Sequence, residues 1–491
     1  MDMMLSAVLG EAITRSINFF IGKCSKPQAQ DVEDGLRRVL LRAQVIIDEA
    51  MGRQITNQAM LLQLDVLRGA MHRGYYMLDS FRCQYSHDKE DAEDQVSSKS
   101  FSLPKVNSLK DLWWSSNTNM CILGQLVKAR DNLSSLIIDV EEVVVFLASY
   151  RRMHRQPYSM HLLLGNCMFG RQVETEFAIK FLLHTQPHVP EELEVLPVVG
   201  PGKVGKSTLV AHVCEDERVR DRFSEILWLG DHDFTDDFRE DCVLKLQNRV
   251  MADSNKAERV LVIVELVGDL TEDAWNRLHY ASKRCVPRGS KIIVTSRSDK
   301  IVRFGTTRAL TLKYLPLEAF WYFFKTLVFG SVDPETHPRL VRLAMEIARM
   351  LHSSFNGALV MSSLLRDNFD ARFWRRFLGF YRGLTQKHVS EFGARPSHLL
   401  NRNRPTRVWS MSGTSEDLVV HRQYQWSSAV EAPEIRLEDV MLGSVTLTPR
   451  QKFDMLLWKS RIPPFYSYVL ACEARELKTA GAKRKRGATI C

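Results

Sequence analysis

Through the first 150 residues apolar positions recur at steps of three and four, and each such run marks one face of a helix. Leu5, Val8, Leu9, Ala12, Ile13, Ile17 and Phe20 form one stripe, and Val32, Leu36, Val39, Leu40, Ala43, Ile46 and Ile47 a second. Leu64, Leu67, Met71, Tyr75 and Leu78 form a third, and Ile122, Leu126, Ala129, Leu133, Ile137, Val140, Val144 and Leu147 a fourth. Four amphipathic helices can cover their stripes against one another, so residues 1–150 predict a four-helix bundle. The polar stretch from Gln84 to Asn119 predicts a loop between the third and fourth helices.

A linker at 151–164 ends this pattern. Short β-branched runs then alternate with helical stretches, at Leu193 to Val199, Ile226 to Leu229, Val260 to Val264 and Lys291 to Thr295. Strands separated by helices imply an α/β domain with a parallel sheet covered on both faces, over 165–330. Residues 331–392 read as a small helical subdomain. Residues 393–480 are irregular with some β character and have no assigned fold, and 481–491 form a basic tail. No leucine-rich or other repeat period is present.

Composition fits this multidomain layout: 491 residues, 25% charged and 45% hydrophobic, exceed what one core holds. The net charge of +9 is local. Ten basic and three acidic residues lie between Arg366 and Arg407, and Lys483 to Arg486 add four more cations. Phe369, Phe373, Trp374 and Phe377 interleave the first patch at near-helical spacing, which predicts a packed apolar face and a solvated basic one rather than a nucleic-acid surface. Lys483-Arg484-Lys485-Arg486 suits a nuclear-import signal or a solubilising tail equally. Nine cysteines without a CxxC pair predict reduced thiols and a cytoplasmic setting. No apolar run reaches the length of a spanning helix, so no transmembrane segment is expected.

One stretch carries chemistry. Gly200-Pro201-Gly202-Lys203-Val204-Gly205-Lys206-Ser207 fits G-x-x-x-x-G-K-[ST] between a predicted strand and a helix. Glycines let the backbone wrap a phosphate, and amides at a helix start hold it. Lys206 reaches the β- and γ-phosphates in such a loop, and Ser207 ligands Mg²⁺. Glu265 ends the buried strand that begins at Val260 and can serve the same metal or act as a weak catalytic group, but Leu266 stands where a second acid would act as base. Arg297 lies at the end of the strand from Lys291, where it is either a phosphate sensor or a surface arginine.

Taken in order, Phe169-Gly170-Arg171, the phosphate loop, Val213 to Val219 with Phe223 and Trp228, the Glu265 strand, Gly289 to Arg297, and Leu315-Pro316-Leu317 with Phe323, Phe324, Phe329 and Gly330 resemble the NB-ARC nucleotide switch of plant disease-resistance proteins. The N-terminal bundle is similar to the Rx-type, coiled-coil domain of those proteins. Leu62 to Phe81 resembles their acidic EDVID segment, with Asp79 as the acid kept. The resemblance implies an ADP/ATP switch of defence signalling. Phe169, Gly170 and Arg171 would then lie near adenine and ribose; Gly200, Gly202, Lys203, Val204, Gly205, Lys206, Ser207 and Thr208 would cradle the phosphates, and Arg297 would be the sensor.

This chain also departs from the family pattern. Lys203 replaces a glycine, which is tolerable at negative φ. Phe355-Asn356-Gly357-Ala358-Leu359 stands for a proline-containing turn, and Val420-His421-Arg422 is a poor counterpart of the Met-His-Asp motif. Three functions are compatible with the sequence: a switch with weak or no hydrolysis, a degenerate module that pairs through its N-terminal bundle with itself or another immune receptor, and an active ATPase.

Overall fold

The computed structural model describes residues 29–97, 108–152, 168–184, 193–230, 259–266, 269–401, 404–408, 411, 416–426, 430–445, 447–448 and 450–476. They fall in two compact units, Met1–Leu163 with Leu315–Ser353, and Leu164–Tyr314 with Ser354–Cys491. The stripe from Leu5 to Phe20 and the tetrapeptide Lys483 to Arg486 lie outside the described residues.

In the first unit, residues 29–51, Gln58–Ser97 and Ser108–Asp139 are long helices, continued by Glu141–Leu147. The predicted stripes face inward: Leu36, Leu40, Leu67, Met71, Leu126 and Leu133 are nearly inaccessible. Val143 rather than Val144 is buried, because Val140 leaves helical geometry (φ −99°, ψ 7°) and shifts the phase of the helix after it. The loop predicted from Gln84 to Asn119 is largely helix, running on to Ser97 and resuming at Ser108. Its residues are polar but mostly tolerant of helix, and no Gly or Pro interrupts Gln84 to Ser97.

Helices Leu317–Phe329 and Pro338–Leu351 complete this unit. The former is apolar on most sides, with Phe320, Trp321, Phe324 and Phe329 almost wholly buried, so it requires neighbours all round. Asp79 satisfies its polar atoms, accepting from Trp321 Nε1 at 2.7 Å and Lys325 Nζ at 2.6 Å. Nearby, Arg82 pairs with Glu33 at 2.6 Å and with Glu335 at 2.8 Å.

The second unit contains a parallel sheet of β1 (Glu194–Val199), β2 (Glu225–Gly230), β3 (Val260–Glu265), β4 (Lys291–Ser296) and β5 (Leu310–Thr311), in the order β2-β3-β4-β1-β5. Alternate side chains of its strands enter two cores. Leu196, Val198, Leu261, Ile263 and Ile293 pack with the helices Gln172–Leu183 and Lys206–Glu215. Val195, Val262, Val264, Ile292 and Val294 pack with Trp275 and Leu278 of the helix Glu272–Cys285. In register, Val199 stands beside Ser296 and Glu265 beside Thr295, so β1, β3 and β4 end level. Strand order reverses about β1, and crevices at such reversals outside the strands' carboxyl ends bind ligands.

Residues 393–480, expected to be irregular with some β character, instead hold a second, antiparallel sheet. Its strands are β6 (Thr406–Val408), β7 (Glu416–Trp426), β8 (Lys452–Lys459) and β9 (Ser467–Glu476), ordered β6-β7-β9-β8. Register shifts at Val420/Arg422 and Leu456/Trp458 break the two-residue alternation, which hides these strands from a periodicity reading. The apolar face predicted within the basic patch is present in part, with Phe369 and Phe373 only half-buried. On the helix Ala371–Phe392, Trp374, Phe377 and Leu378 are buried while Arg372, Arg375 and Arg376 are exposed. Phe355–Asp367 is a helix whose N-cap Ser354 accepts from Gly357 N, so the segment expected as a turn is its first turn.

Candidate nucleotide-phosphate site

The loop after β1 wraps where the sequence places it. A Cβ at Gly200 would stand 2.5 Å from the Leu312 carbonyl oxygen, so backbone approach requires glycine there. Gly205 (φ +99°) turns the chain into the helix Lys206–Glu215, and Val204 anchors the loop in the core beneath. Gly202 lies under Arg297, whose Nε is 3.1 Å from the position of an added Cβ. The guanidinium of the residue after β4 thereby lies against the loop.

Lys203 reverses its expectation: its φ is +62°, not negative. A side chain in this region costs roughly 1–2 kcal/mol relative to the right-handed one, so tertiary contacts hold it. Lys203 Nζ donates to Gln423 Oε1 of β7, part of the same unit. Burial, then the charge of Arg297, lowers its ammonium to about 8. Lys206 is lowered to about 8 by the same two causes, against the opposing charge of Glu265. Its Nζ donates to the carbonyls of Gly200 at 2.7 Å and Pro201 at 3.0 Å. Two ammonium groups and a guanidinium thus converge on one short loop, an arrangement that favours a polyanion.

Glu265 stands at the level end of β3. Burial raises its pKa, opposed by a hydrogen bond from Ser207 and the charge of Lys206. Its Oε1 is buried without a hydrogen-bond partner. Leu266, the next residue, belongs to the apolar core with Trp275 and Leu278 and donates its backbone N–H to Thr295. No carboxylate could be supplied from that position without breaking the core.

The segment before the loop reaches the site only in part. Met168 Cε lies 3.4 Å from an added Cβ at Gly205, Phe169 is buried, and Gly170 has φ +71°. Arg171 is buried, bound to Glu174 at 3.0 Å and to the Lys313 carbonyl. Its guanidinium therefore ties this segment to the chain after β5. Thr208 contributes its carbonyl to His212 Nδ1 at 3.2 Å. His421 pairs with Glu473 at 3.0 Å on the C-terminal sheet. Two residues that motif reading misses touch the loop: Gln423, and Tyr314, whose hydroxyl donates to Gly202 O at 2.9 Å. Neither lies in a local pattern, since both arrive by tertiary packing.

Fold and site together define a P-loop nucleotide-binding domain. Residues 178–333 match the NB-ARC domain family. Over 42% of its length the chain is 26% identical to disease resistance protein RGA2 of Solanum bulbocastanum, covering 23% of that protein. With RGA1 of the same species it shares 27% identity over 42% of its length and 22% of the relative's. A third disease-resistance relative, RPP13-like protein 1 of Arabidopsis thaliana, is 22% identical over 71% of this chain and 34% of its own. The chain thus spans about a fifth to a third of the length of these relatives. Among the described residues no helix is long and apolar enough to cross a membrane.

Proposed function

We propose that this chain is an ADP/ATP-binding switch of plant immune signalling with weak or no hydrolysis. The observation that carries the reading is the pairing of Lys206, Ser207 and Arg297 around one loop with the acid Glu265, which stands beside a core leucine. Loop amides and three cations bind a polyphosphate, whereas hydrolysis also calls for a group that orients water. Mg²⁺ fits the residues present. The Ser207 hydroxyl and the Glu265 carboxylate lie together, Glu265 Oε1 has no other partner, and both are hard oxygen ligands. When bound, the cation would neutralise phosphate charge, with nucleotide oxygens completing its shell.

Regulation would come from the contacts that hold the loop, since Arg297, Tyr314 and Gln423 each bring a different element to it. Signalling through the N-terminal helices, pairing with another receptor or with itself, a cytoplasmic or nuclear location, and the role of Phe169 and Gly170 at the base all belong to this proposal. The test is binding of ADP and ATP by the purified chain, with Lys206→Ala as control. Loss of nucleotide with unchanged partner pairing in that variant would favour the adaptor reading, and phosphate release abolished by it would favour an ATPase.

A further inference from the structure

The polar residue of the C-terminal sheet that meets the phosphate loop is aimed there by a register fault. Opposite β9, Val420 pairs with Cys472 but Arg422 pairs with Ala471, so His421 is an extra residue in β7. Gln423 consequently stands opposite Leu470, on the face that buries Leu418, Val420, Cys472 and Ala474. Bulges re-aim side chains in this way. A glutamine among buried apolar neighbours must satisfy both ends of its amide.

One end is satisfied. Lysine can only donate, so the amide atom facing Lys203 Nζ is the carbonyl Oε1, and this fixes the orientation of the group. The remaining atom, Nε2, is a buried donor without an acceptor. Arg297 packs over Gly202, the residue before Lys203, and Lys206 Nζ donates to the carbonyls of Gly200 and Pro201, so all three cations lie on the loop that Gln423 touches. An unfilled donor on a side chain bound to this cationic loop asks for an acceptor carrying negative oxygens.

We propose that Gln423 is a phosphate ligand. Its Nε2 donates to a terminal phosphate oxygen of a nucleoside di- or triphosphate in the loop, while its Oε1 fixes Lys203 beside that oxygen. The inference rests on the nucleotide-binding reading and adds the antiparallel sheet to the site. Phosphate charge is then read jointly by β7 and by the loop, and a side chain at position 203 is tolerated at positive φ because Gln423 holds it.

The full chain, with ADP, ATP and adenosine as probes in calorimetric titrations, tests this. Gln423→Glu replaces the donor by a carboxylate that repels phosphate, and should weaken ADP and ATP at least about tenfold while leaving adenosine unchanged. Gln423→Met keeps the volume, removes donor and acceptor, and should give a smaller loss of the same sign; thermal melts without nucleotide verify that each variant folds. Wild-type affinity for ADP and ATP in the folded variants, with Lys206→Ala no longer binding, would overturn the proposal and leave the nucleotide reading standing. A parallel loss of adenosine affinity would also overturn it. Failure of the unaltered chain to bind any of the three would remove the nucleotide reading itself, and this proposal with it.

Discussion

Asp79 and Lys325 form an ion pair at 2.6 Å, with side chains only 9% and 13% exposed, and the same carboxylate takes the Trp321 indole proton in a hydrogen bond. Removing one member of a buried pair strands the other's charge, at a cost of roughly 3–5 kcal/mol. Asp79→Ala should therefore lower the melting temperature by several degrees. Asp79→Ala combined with Lys325→Met should recover part of that loss. A double-mutant cycle by thermal denaturation checks this, and additive effects would show that the two residues are not coupled.

Lys203 gives a second prediction. Lys203→Gly and Lys203→Ala both lose the bond to Gln423, but only alanine keeps a Cβ at φ +62°. The glycine variant should be the more stable by about 1 kcal/mol, measured by urea unfolding. Equal stability would mean that the loop relaxes to negative φ once Gln423 is released.

These two sites show how much the chain reveals as a string. The stripes at Leu36, Leu67 and Leu126, the loop from Gly200 to Ser207 and the strand ending at Glu265 are local patterns, and local patterns survive folding. Lys203 does not follow its local rule, and its side chain is bound by a residue 220 positions away in the chain. Arg171 likewise takes a partner that no local pattern announces, the Lys313 carbonyl 142 positions away. The antiparallel sheet escapes a periodicity reading because its bulges reset the alternation.

His72 is buried, its ring tilted against that of Tyr322 with centroids 4.7 Å apart, and lowered to about 3, first by burial and then by Arg68. His388 is also lowered, chiefly by burial. Both favour the neutral ring in the folded state. Well above pH 6.5 neither the folded nor the unfolded chain binds the proton; below it the unfolded chain does so first, and stability falls. One such group has a limiting slope of about 1.4 kcal/mol per pH unit. Denaturant melts between pH 7 and pH 5 should show this decline, and His72→Phe, which keeps the ring contact, should flatten it. An unchanged slope in that variant would assign the effect elsewhere.

Leu266→Asp supplies the missing second acid, but in the core beside Trp275 and Leu278. An unpaired buried carboxylate costs several kcal/mol, or is held protonated. Reduced thermal stability with phosphate release still at background is the expected result. Faster ATP turnover in a stable variant would show that the core admits an ionised group there.

The most direct test of the nucleotide switch is to denature the purified full chain and identify the nucleotide it releases by chromatography. The account predicts ADP in near-stoichiometric amount, and little or none from Lys206→Ala purified in parallel. No nucleotide from the unaltered chain, together with no binding of added ADP or ATP, would contradict it.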